Sequence, residues 1–173
     1  MPASSHDILR WQFDLTWSLA RYHFDALTPG DFHWEPGPLI WTVHRGADGN
    51  WRPDWAEVEP DPIPVPTVAW LTWHIDWWWS TALAHVEGRT PAPREEMFWA
   101  GDAALTRLDD LRAAWATALE AADPDAPAAY PWPADTGLTV THLAAWVNAE
   151  LMKNAAEIGQ LRLLRAASLA CGV

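Results

Sequence analysis

The spacing of apolar and polar residues divides the chain into four helical stretches joined by irregular segments. From Ser5 to Leu27, Ile8, Trp11, Leu15, Leu19 and Tyr22 recur at helical intervals and define the expected inner face of a first helix. Ser4 or Ser5 supplies its cap, Asp7 suits the positive end of the helix dipole, and Thr28-Pro29-Gly30-Asp31 brings turn chemistry at its end. A second helix, Thr67 to Glu87, is apolar almost all round through the run Trp70 to Trp79, with Thr67 as cap and Gly88 as stop. A third runs from Asp102 to Ala122 on Leu105, Leu108, Leu111, Trp115 and Leu119. A fourth begins at Thr139 or Thr141 and continues to Ala170, roughly 40 Å at 1.5 Å per residue. Leu143, Trp146, Val147, Leu151, Ile158, Leu161 and Leu164 mark its inner side.

Between the first and second helices the pattern changes. Pro36, Pro38, Pro53, Pro60, Pro62, Pro64 and Pro66 forbid a long helix from Phe32 to Pro66. Trp41 to Arg45 and Asn50 to Arg52 flank Ala47-Asp48-Gly49, which reads as a small hairpin. The tryptophans and isoleucines of this crossing call for burial, so it is expected to pack over the helices as an irregular flap. The fold expected is all-α, a four-helix bundle with a long proline-rich crossing that contains a hairpin, in one domain over residues 1–173.

Composition sharpens this reading at a few points. Fifteen tryptophans in 173 residues point to a bulky core and an aromatic-lined cavity. Net charge is −12, with 11 Lys and Arg against 23 Asp and Glu and no basic cluster, so nucleic acid is excluded as a partner and anionic membrane disfavoured. The apolar run from Thr67 to Val86 carries His74 and Asp76 at its centre, which argues for a buried helix over a membrane span. The single cysteine, Cys171, builds neither a disulfide nor a Cys-based metal site. No basic segment followed by an apolar stretch opens the chain, and the expected location is the cytoplasm.

The candidate chemistry lies in two helices. His74 sits in the middle of the apolar second helix, and Glu150, Asn154 and Glu157 follow one another at offsets of four and three on the fourth. Trp146 and Leu161 flank this ladder with apolar side chains, so its polar members face inward and need a cation, a metal or a donor. Two forms are open: a divalent ion held by His74, Glu150 and Asn154 or Glu157 with one free position, or a metal-free His74–Glu150 dyad. A satisfied core histidine is the bland alternative. Trp70, Trp78, Trp146 and His142 are further candidates for the pocket wall, His44 is placed to reach over a pocket, and His6, His23, His33 and His85 are expected at the surface.

These residues resemble a known family. Trp70-Leu-Thr-Trp-His74-Ile-Asp-Trp looks like the second helix of the DinB/YfiT-like superfamily, and Trp146-Val-Asn-Ala-Glu150-Leu-Met-Lys-Asn154-Ala-Ala-Glu157 looks like its fourth. The proline-rich crossing from Trp41 to Pro66 also matches one branch. The resemblance implies an up-down-down-up four-helix bundle, often a homodimer, with Zn²⁺ or Ni²⁺ bound by a histidine of the second helix and a pair on the fourth. It implies a metal-dependent enzyme, a mycothiol-dependent transferase or isomerase in which the metal activates a low-molecular-weight thiol. His74 and Glu150 match the first two ligand positions, whereas Asn154 stands where a third ligand, usually histidine, belongs. An amide oxygen is a weak donor for such ions, so the site implied is partly degenerate. The rival expectations are a non-enzymatic bundle that binds a small apolar ligand in a Trp-lined cavity, and a dimeric, stress-associated interaction module.

Overall fold

The computed structural model describes residues 4–172. Four long helices form at the predicted places: α1 (Ser5–Phe24), then α3 (Val68–Val86), α4 (Ala104–Ala121) and α5 (Val140–Cys171), with a four-residue α2 (Pro29–Phe32) after the first. The local signals account for their ends. Ser4 caps α1 in a reciprocal capping box with Asp7, Thr67 accepts from the Trp70 N–H at the start of α3, and Gly88 leaves that helix at a φ of 68°. α1 ends at Phe24, short of the expected Leu27, and the turn residues Thr28 to Asp31 instead open α2, where Pro29 takes the first helical position.

Side-chain contacts give the helix directions. Asn148 of α5 donates to the Leu9 carbonyl of α1, and His23 of α1 abuts Gly159 of α5, so these two helices run parallel. Arg10–Glu120, Asp14–Arg112 and Arg21–Asp109 pair α1 with an antiparallel α4. Trp78 of α3 meets Trp146 of α5 at one level, while Trp70 and His74 of α3 share a cavity with Asn154 and Glu157 of α5 at another, so these helices are antiparallel. Thus α1 and α5 point one way, α3 and α4 the other. The core between them is tryptophan-rich: Trp73, Trp79 and Trp115 are among the largest fully buried side chains.

The crossing holds the expected hairpin, β2 (Val43–Arg45) antiparallel to β3 (Trp51–Pro53). It also holds a parallel pair that the sequence did not announce, β1 (Ile40–Trp41) beside β4 (Val65–Pro66). This pair ties the two ends of the crossing together at the start of α3. Trp41 stacks on Trp70 at 5.1 Å, the Asp54 backbone carbonyl accepts the Trp70 indole N–H at 2.8 Å, and Trp55 lies edge-on to Trp73 and Trp77. The crossing therefore packs as a roof on the tryptophan face of α3.

One expectation fails. Ile8, Trp11, Leu15, Leu19 and Tyr22, taken as the inner face of α1, are all exposed, Trp11 by 65% and Tyr22 by 70%. The buried set is Phe13, Thr16, Trp17, Ala20 and Phe24. The helix carries two apolar stripes, and the one with phenylalanine and tryptophan ring contacts to Trp79 takes the core. Leu164 of α5 likewise faces out.

Candidate functional site

The site grows from α3. Because this helix is buried on nearly every side, His74 cannot reach bulk water freely, and its ring is half-buried and stacked on Trp70 at 4.8 Å and 16°. Burial, and secondarily the positive charge of Lys153, pull its pKa down from 6.5 to about 4. The imidazole is neutral at pH 7. Its Nδ1 is buried without a hydrogen-bond partner among the described residues.

A cavity of about 440 Å³ opens beside it, between α3, α5 and the proline-rich roof. Trp41, Trp55, Trp70 and Ile63 supply apolar walls, and His74, Lys153, Asn154 and Glu157, with the exposed Glu57 and Glu59 of the crossing, supply the polar side. Trp55 repeats the feature seen in His74: its indole Nε1 is buried without a partner among the described residues. Two ring nitrogens of lining residues are thus unsatisfied, which is uncommon for buried polar atoms.

The predicted ladder is split by height along α5. Asn154 and Glu157 reach the cavity with His74, but Glu150 is not among the lining residues; its carboxylate pairs with Lys153 at 2.7 Å. Glu150 instead faces Tyr130, whose hydroxyl pKa is raised first by burial and then by that carboxylate. Asn154 is almost fully buried, and its amide is committed on both ends: Oδ1 accepts from Trp78 at 3.1 Å and Nδ2 donates to Glu157 at 2.8 Å. Trp78 serves the site as this anchor, and Trp146 packs edge-on to Trp78, outside the cavity lining. His142 is exposed and accepts the Thr139 backbone N–H, a helix-capping task away from the pocket. His44 pairs with Asp54.

A three-donor metal site does not fit these residues. Among the described residues no group of three His, Cys, Asp or Glu side chains converges to hold an ion. The Asn154 carbonyl oxygen is used by Trp78, and the Lys153 ammonium stands close enough to depress His74. A metal-bound histidine also needs an acceptor for its second ring N–H, and the Nδ1 of His74 has none.

Sequence reasoning missed Lys153 and Trp55 as lining residues. The i to i+4 spacing of Lys153 and Glu157 was the available signal, since it brings the lysine to the same side of α5 as a cavity-lining residue. It also placed His23 at the surface. That ring is instead half-buried against Gly159, where a Cβ would lie 2.6 Å from its Cε1, and burial followed by Arg162 lowers its pKa.

The architecture defines a mostly helical protein with an aromatic-roofed cavity between its third and fifth helices, and none of its described helices is long and apolar enough to cross a membrane. The DinB superfamily model matches residues 12–158, and the chain belongs to that superfamily. No curated protein and no solved structure matches it.

Proposed function

We propose that this protein is a small-molecule-binding member of the DinB superfamily, its four long helices forming the up-down-down-up bundle of that family. The ligand lies under the proline-rich roof. The observation that carries this reading is the pair of unsatisfied ring nitrogens, on Trp55 and His74, in residues that line one cavity of about 440 Å³. The apolar walls suit a flat ring system of one or two rings. The polar side suits a neutral group that both accepts and donates: a carbonyl oxygen for the Trp55 N–H or Lys153, and an N–H for Glu157. An amide has both. The neutral His74 contributes polarity without charge. A metal-activated thiol reaction, which the family resemblance implies, lacks a third donor among the described residues.

The test uses the full chain with ¹³C-labelled histidine and 1-naphthaleneacetamide as the probe. A saturable shift of the His74 Cε1–H signal is expected, with affinity reduced about tenfold by Trp41→Ala and severalfold by Lys153→Ala. Failure of the probe to move that signal, or equal binding by the Trp41→Ala protein, sinks the proposal.

The partner proposed for the outer stripe of α1 is a second copy of the chain. Ile8, Trp11, Leu15 and Tyr22 repeat at steps of three, four and seven, the seam spacing of paired helices, and all four are exposed.

A further inference from the structure

A second cavity, of about 200 Å³, lies between the first half of α1, the last turns of α4 and the start of α5. It shares no lining residue with the cavity under the roof. Leu9, Phe13, Leu119, Val140 and Ala144 give it an apolar wall. Two buried donors interrupt that wall, beside His6, Arg10, Asp14, Glu120 and Thr141, which also line the cavity. Trp115, with no exposed surface, lines the cavity and leaves its indole Nε1 buried without a partner among the described residues. Arg112, one turn earlier on the same face of α4, leaves its Nε buried and unpartnered as well.

Both groups are donors only, since neither an indole N–H nor a guanidinium can accept. Buried donors without acceptors are costly, and two of them in residues lining one small cavity call for an acceptor from outside the chain. The cavity is of single-ring size: an apolar protein cavity of about 150 Å³ holds benzene. At the rim, Arg112 Nη2 donates to Asp14 at 3.2 Å and Arg10 pairs with Glu120 at 2.8 Å, both pairs between α1 and α4. These pairs are largely exposed and weakly held, so they leave the site accessible.

We propose that this cavity is a binding site for a small apolar carboxylate of single-ring size. Its ring or branched chain fills the space against Phe13 and Leu119, and its carboxylate accepts from Trp115 Nε1 and Arg112 Nε. Asp14 competes with the ligand for Arg112, so the site discriminates by charge: a neutral alcohol of the same shape gains less, and an amine is opposed by the guanidinium.

The test is titration of the ¹⁵N-labelled full chain with benzoate at pH 7, with benzyl alcohol and benzylamine as comparators. The Trp115 indole signal, identified by its loss in Trp115→Phe, is expected to shift saturably with benzoate and much less with the other two. Trp115→Phe, which keeps an aromatic ring but removes the donor and is read by the backbone amide shifts of the lining residues, weakens benzoate about tenfold, whereas Asp14→Asn tightens it severalfold. Arg112→Met, checked for its fold by circular dichroism, weakens it by a similar factor and serves if Trp115→Phe does not fold. Equal binding of all three compounds, no saturable shift, or benzoate affinity indifferent to these substitutions overturns the site.

Discussion

Helices α1 and α3 use the same residue types to opposite ends. Both are rich in tryptophan, but α3 buries Trp70, Trp73, Trp78 and Trp79, while α1 buries Trp17 and leaves Trp11 in solvent. On α3 the apolar residues surround the helix, so every rotation buries tryptophan and the sequence leaves little choice. On α1 two apolar stripes compete for one core. The stripe that wins is the one whose Phe13 and Trp17 reach edges and faces of Trp79 at 5.8 and 5.9 Å. Composition along a helix therefore decides that a face is apolar, and neighbours decide which apolar face is inside.

The largest effect that would sharpen this contrast is truncation at the shared contact. Trp79→Ala, in a residue with no exposed surface, should cost about 3–5 kcal/mol in urea unfolding. A cost near that of a surface substitution would mean that the α1–α3 packing described here is wrong.

Next is acid sensitivity. The unfolded chain binds a proton at His74 near pH 6.5, and the folded chain only near pH 4. Stability from this group is thus full above pH 6.5 and is lost as pH falls toward 4, by about 3 kcal/mol in total. His74→Phe should flatten that part of the profile. A profile of unchanged slope between wild type and variant would show that the imidazole is not desolvated.

The parallel contact of α1 and α5 offers a smaller change. Gly159→Ala places a methyl group against the His23 ring and should destabilise by about 1–3 kcal/mol, with much of the loss recovered when His23→Ala is combined with it. Additive losses in that cycle would put the two residues out of contact. The smallest folding effect belongs to the exposed stripe. Trp11→Glu should change the unfolding free energy of the dilute protein by no more than about 0.5 kcal/mol. In sedimentation velocity at high concentration it should convert a dimer to a monomer, and a wild-type protein that sediments as a monomer removes the proposed pairing.

The candidate site was legible in part. The ladder on α5 and the lone histidine in an apolar helix pointed to one cavity, and Asn154, Glu157 and His74 do meet there. Glu150 was misplaced because it shares its direction around α5 with Glu157 but not its height: seven residues separate them, roughly 10 Å along the axis at 1.5 Å per residue, and the cavity does not extend that far. Its carboxylate ended beside Lys153, a pairing that local spacing permits but does not require. Trp55 was out of reach of periodicity altogether, since it belongs to a segment with no regular repeat. The second cavity left no mark in the pattern: Arg112 and Trp115 read as ordinary members of an amphipathic helix until three elements close around them.

Read alone, the chain determined where its four long helices run, what caps and stops them, and that a tryptophan-rich, proline-stiffened crossing must lie against them. Those properties are local, set by periodicity over one or two turns and by single residues at the ends. Tertiary structure alone decided which stripe of α1 is buried, that Ile40 and Val65 come together as parallel partners, and which polar atoms are left without partners beside a cavity. Each of these depends on groups distant in sequence occupying the same volume, and burial and hydrogen-bond satisfaction are properties of that shared space.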